Sequence, residues 1–75
     1  MGDFHIRGRI EAYGPSSFVA IALAIPVDGT EAFRRKQSVV RSRAQAVTRL
    51  RELAIELGAE MRKEGHAILE VQTDD

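Results

Sequence analysis

The sequence contains no cysteine and no tryptophan, only two prolines and four aromatic side chains, and it has no excess of either charge. Each shortage removes a class of protein. Without cysteine there is neither a disulfide framework nor a thiolate metal site, and the composition suits a reducing compartment such as the cytoplasm. Eleven Lys and Arg balance eleven Asp and Glu. That balance disfavours both a uniformly basic nucleic-acid binder and an acidic tail protein. The longest apolar run, Phe18 to Ile25, has eight residues, against the roughly 20 that a membrane-spanning helix requires. The opening residues, Met1 to His5, lack the basic start and apolar run of a secretory signal.

What is present describes one small folded domain. The chain has 75 residues, of which 44% are hydrophobic and 29% charged, ordinary values for a globular protein. A domain of this size buries only about 60% of its unfolded-chain surface. Small domains add a disulfide, a metal or a second copy to such a core. With cysteine absent, a homodimer is the expected support.

Hydrophobic periodicity divides the chain. Residues 4–13 alternate, with Phe4, Ile6, Gly8, Ile10 and Ala12 on one face and His5, Arg7, Arg9, Glu11 and Tyr13 on the other. Gly14-Pro15-Ser16 is a turn signal. A second strand follows over 17–27. One of its faces is β-branched and bulky, with Val19, Ile21, Leu23, Ile25 and Val27; the other carries Phe18, Ala20, Ala22 and Ala24. The alanine face is apolar but small, which suits an element packed closely against it. Together these segments predict a hairpin over about 4–27. Pro26 and Asp28-Gly29 end it.

Residues 28–41 allow two readings. Thr30 could cap a short helix running through Phe33. The preferred reading is an exposed loop and then a short third strand, with Phe33, Arg35, Gln37 and Val39 on one face. Residues 43–64 are clearer. Val47, Leu50, Ala54, Leu57 and Met61 recur at spacings of three and four, and Ala46 and Leu53 widen the stripe. That pattern is an amphipathic helix. Ser42 followed by Gln45 reads as its capping box, and Gly65 as its stop. Residues 66–73 alternate again, Ala67, Leu69 and Val71 against His66, Ile68, Glu70 and Gln72, and predict a last strand. The expected fold is α+β in the order β-β-(β)-α-β: an antiparallel sheet with one long helix packed on one face.

The zero net charge conceals a segregation. Residues 1–31 sum to −2, residues 32–51 to +7 and residues 52–75 to −5. Along the helix the basic half comes first, and Glu52, Glu56, Glu60 and Glu64 follow at four-residue spacing. Both features are locally unfavourable, through the helix dipole and through like-charge repulsion, by roughly 0.2–1 kcal/mol per group. Three readings answer this pattern. The face is simply solvated; or two helices pair antiparallel in a two-fold dimer, with Glu52, Glu56 and Glu60 meeting the basic half of the mate; or Arg34, Arg35, Lys36, Arg41, Arg43, Arg49 and Arg51 form a basic surface for a partner. An acidic protein is the first choice of partner. An RNA or DNA backbone is the alternative, because a +7 window is a plausible phosphate footprint.

No catalytic constellation stands out. His5 and His66 open strands on the wet faces and read as solvent-exposed or terminal histidines without a converging third group. The helix glutamates lack the Glu-x-x-His element of a carboxylate-bridged metal site. Ser16 and Ser17 have no nucleophile elbow around them. The glycines form no phosphate-binding loop. Arg7, Arg9 and Tyr13 make only a thin version of a base-stacking platform. The expectation is a protein that is not an enzyme, with no cofactor and no metal.

The strand–strand–helix–strand order and the helix start Ser42-Arg43-Ala44-Gln45-Ala46 resemble HicB-like domains, a family of small antitoxin-type proteins, over about residues 4–72. In that family a long hairpin precedes a Ser/Thr-x-x-x-Ala segment, one long helix and a closing strand. The chain departs from the pattern at Phe33-Arg34-Arg35-Lys36-Gln37, where the family carries an acidic, glycine-containing stretch. No DNA-binding segment follows the last strand. The resemblance implies a dimeric, partner-binding module that covers a toxin or similar protein, and it carries over no individual functional residue.

Overall fold

In a computed structural model the described residues are 3–28 and 34–73. They form four strands and one helix: β1 (Asp3–Ala12), β2 (Phe18–Pro26), β3 (Arg34–Val40), α1 (Arg43–Lys63) and β4 (Ala67–Thr73). The proposed cap at Thr30 and the assignment of Phe33 to the third strand lie outside the described residues.

The hairpin closes through Tyr13 N–H, which donates to the Ser17 carbonyl at 2.8 Å. Its register sets Ile6 opposite Ala24, Gly8 opposite Ala22 and Ile10 opposite Ala20. The small face of β2 and the apolar face of β1 are therefore one surface, and α1 lies on it. Ile6, Ala20, Ala22, Ala24, Leu50, Leu53, Ala54, Leu57 and Met61 make the core, with Phe4, Ile10 and Ile68 packed around it. The alanines keep the sheet surface low, so the leucines of α1 approach it directly.

The capping residues act as their sequence suggests. Ser42 Oγ accepts from Gln45 N–H at 3.1 Å, and the Gln45 side chain reaches back to Arg41 N–H at 3.1 Å. At the far end Gly65 has φ +94°, a left-handed conformation that favours glycine. His66 N–H donates to Met61 O and Gly65 N–H to Arg62 O, the paired bonds of a Schellman cap. This turns the chain sharply into β4.

The sheet order is β3-β2-β1-β4. β1, β2 and β3 are antiparallel neighbours, but β4 pairs parallel with β1, so the sheet is mixed rather than wholly antiparallel. The reason is topological. β3 and α1 run in opposite directions, and the chain re-enters the sheet beyond β1 pointing the same way as β1. A crossover helix is what such a parallel pairing needs. β4 also breaks its own alternation. A register shift opposite Phe4 and His5 leaves Leu69 as the extra residue. Ile68 pairs with Phe4 and Val71 with Ile6, so both fall on the helix side, although strict alternation separates them.

Candidate partner-binding face

The charge pattern of α1 finds its partner inside the chain. Arg34 and Lys36 project from β3 onto the helix side. Arg34 forms a two-pronged pair with Glu64, with Nη2 to Oε1 at 2.7 Å. Lys36 Nζ lies 2.5 Å from Glu60 and 3.9 Å from Glu56. Arg49 bridges Glu52 at 3.0 Å and Glu56 at 3.5 Å. The glutamate ladder thus runs along the flank of α1 that overhangs β3. The last helical turn carries Arg62 and Lys63, which suits the dipole.

These contacts disperse the seven basic residues of the sequence reading. Arg34, Lys36 and Arg49 are engaged by glutamates, and Glu52, Glu56 and Glu60 are the acids that engage them. Arg41 lies in the turn before α1 and Arg43 is its first residue, both exposed. Arg51 lies on the opposite flank of α1, with Ile55 and Arg62. Arg35 points to the other side of the sheet. No single basic surface results.

The ion pairs shift titrations in the expected sense. The two hydrogen bonds from Arg34 hold the Glu64 carboxyl below its ordinary value, against a smaller opposing effect of burial. Arg34 and Arg49 rise correspondingly, through Glu64 and through Glu52. A carboxyl depressed in the folded state stabilises folding above its unfolded-state value, and that contribution is lost as pH falls through the folded value. Arg34→Gln should therefore flatten the acid limb of stability against pH below about pH 5, with little change at neutral pH. Urea unfolding across that range measures it, and an unchanged acid limb would contradict the assignment.

The face of the sheet away from α1 carries no covering element among the described residues. Down its middle runs the bulky side of β2: Val19, Ile21, Leu23 and Ile25. Val19 and Ile21 are only 7% and 4% exposed, because long side chains on the neighbouring strands flank them. Arg9 and Gln37 stand on either side of Ile21 in register, and Glu11 and Val39 on either side of Val19. Leu23 and Ile25 are more open, and with Arg7, Arg9 and Gln72 they line a shallow groove.

Charge on this face is partly neutralised. Arg9 Nε is 2.9 Å from Glu11, and His5 lies 3.6 Å from Glu70. Arg35 binds only the neutral Gln37 side chain, at 2.8 and 2.6 Å. Arg7 and Arg35 have no carboxylate partner among the described residues, and both sit in register with Leu23, one on each side. Two uncompensated guanidinium groups therefore bracket an accessible leucine. Tyr13 is exposed at the hairpin end of the same sheet. Sequence reasoning noticed Arg7 and Arg9 but weighted the 34–51 cluster more heavily. Only the pairing of β1 and β3 with β2 brings Arg7 and Arg35 to one row.

The histidines are less exposed than expected. Both are half-buried, and their Nδ1 atoms are buried without a hydrogen-bond partner among the described residues. His66 packs edge-on to Phe4, with ring centroids 4.8 Å apart. Among the described residues no three or more His, Asp or Glu side chains gather as metal ligands, and no helix is long and apolar enough to cross a membrane.

The geometry defines an α+β domain with one helix-covered sheet face and one bare, arginine-flanked face. Comparison with protein-family models, curated proteins and solved structures finds no match for this chain.

Proposed function

We propose that the protein is a small, non-catalytic protein-binding module of the cytoplasm, acting as a homodimer, whose bare sheet face binds an acidic partner. The observation that carries this reading is the row Arg7–Leu23–Arg35. An apolar stripe bracketed by unneutralised arginines fits a surface that is itself apolar at its centre and acidic at its rim. Of the basic segment, Arg35 contacts the partner. Arg34 and Lys36 contribute by holding β3 and α1 together, and Arg49 by pairing with Glu52 and Glu56 within α1. The antitoxin-like reading, in which the partner is a small toxin-type protein, rests on the resemblance of the element order and of the helix start at residues 42–46 to HicB-like domains.

The test pairs wild type with an Arg7→Glu, Arg35→Glu double variant. A partner isolated with the wild type and then purified should be acidic, and its affinity should fall by roughly tenfold or more for the variant. Unchanged affinity would refute the assignment of the face. Single-stranded RNA and duplex DNA oligonucleotides at low salt should show no mobility shift. A shift that weakens steeply with salt would replace this reading by phosphate-backbone binding.

A further inference from the structure

The sheet has two edges, β3 and β4. An edge strand presents unpaired backbone groups, and folded proteins guard it with charge, proline or cover. The β3 edge is guarded: Arg34, Arg35 and Lys36 stand on it in succession. The β4 edge is not. Its seven residues hold one charged side chain, Glu70, and no proline. The register shift disturbs only its first half, and Glu70 to Thr73 pair regularly with β1.

The neighbouring flank of α1 carries an apolar strip between Arg51 and Arg62. Ile6, Ala54, Ile55, Gly58 and Val71 line a groove between α1 and β4. Ile55 is 72% exposed and Val71 51%, large values for aliphatic side chains in a domain whose core is already small.

We propose that this edge is where two copies of the chain meet. β4 pairs antiparallel with β4 of a second copy across a two-fold axis at Val71, and the α1 helices come together antiparallel at Ile55. The inference rests on the homodimer part of the reading above and moves it from the helix glutamates to the sheet edge.

The register follows from the side chains. Residues opposite each other in an antiparallel pair share a face, so a two-fold axis must fall on one residue. An axis at Glu70 sets a carboxylate against its own copy, which is unfavourable. An axis at Val71 sets Val71 against Val71 on the helix side and Gln72 against Glu70 on the other. Within one strand these two already form a donor–acceptor pair at 2.7 Å, and the same chemistry serves across the axis. The bare face remains free, so a dimer of this form still binds a partner.

Sedimentation equilibrium and single-cysteine cross-linking test the proposal, since the chain has no cysteine of its own. Across an antiparallel pair the Cα atoms at the axis are about 4.5–5.5 Å apart, within disulfide range. The wild type should sediment at twice 8.3 kDa. Val71→Cys should form a cross-linked dimer under mild oxidation. Val39→Cys, on the β3 edge and similarly exposed, should not. Val71→Lys should weaken dimerisation roughly tenfold or more with unchanged circular dichroism; if that variant misfolds, Gln72→Glu, which sets a carboxylate against Glu70 on each side of the axis, takes its place. A monomer overturns the inference together with the homodimer reading. A dimer in which Val39→Cys cross-links as readily as Val71→Cys overturns the inference alone.

Discussion

Replacing Gly8 with valine is expected to lower the urea midpoint sharply, by about 1–3 kcal/mol of stability and with m unchanged. Gly8 lies on the helix-facing side of β1, opposite Ala22. A β-carbon there would stand 2.7 Å from Leu50 Cδ1, 3.0 Å from Cγ and 3.1 Å from Cδ2. Leu50 is itself 1% exposed and belongs to the buried cluster with Leu53, Ala54 and Leu57, so its end has little room to swing. The domain has only about 4–11 kcal/mol to lose if it follows the usual stability per residue. A cycle with Leu50→Ala separates steric overlap from a general dislike of valine. Leu50→Ala alone should cost about 2–5 kcal/mol. The double variant should cost clearly less than the sum, because the valine methyls enter the space the leucine leaves. Strict additivity in circular-dichroism unfolding would mean that Gly8 matters for some other reason.

The second large effect lies on α1. Leu57→Ala should cost about 2–5 kcal/mol, because Leu57 is wholly buried against the sheet and its loss leaves a cavity. Ile55, two positions away, should cost no more than about 0.5 kcal/mol when replaced by alanine in the dilute monomer. The two side chains are similar in apolar volume and sit on the same helix. The contrast therefore isolates which side of α1 meets β1 and β2, and comparable losses would place the helix in the wrong rotation. In the proposed dimer Ile55→Ala acquires a second effect, through the helix contact at the two-fold axis.

The elements of this fold are legible because each is specified by neighbours in sequence. Alternation marks β1 and β2, the three-and-four stripe from Ala46 to Met61 marks α1, and Ser42, Gln45 and Gly65 mark its ends. Even the close packing of the helix is foreshadowed, since Ala20, Ala22 and Ala24 leave a low surface that only a near neighbour can use. The short third strand is preferred from residues 33–40, and Arg34–Val40 forms it.

The candidate site is less legible, and Arg35 shows why. Its neighbours Arg34 and Lys36 carry the same charge, but alternation along β3 sends them to the helix side, where glutamates neutralise them. Arg35 goes to the bare face. One basic run thus has two fates that no window of sequence distinguishes. The glutamates teach the same lesson: their spacing called for a compensating partner, and that partner is β3 of the same chain.

By itself, then, the sequence determined the α+β class, the element order, the helix with its caps and the buried stripe. Periodicity and capping act over a few residues, within reach of local geometry. The tertiary structure alone decided that β4 lies parallel to β1, that the extra residue at Leu69 turns Ile68 and Val71 to one side, and that Lys36 meets Glu60 while Arg7 and Arg35 bracket Leu23. Those outcomes depend on strand order and register between segments distant in sequence, where pairing is set by burying whole faces together and not by the residues beside each one.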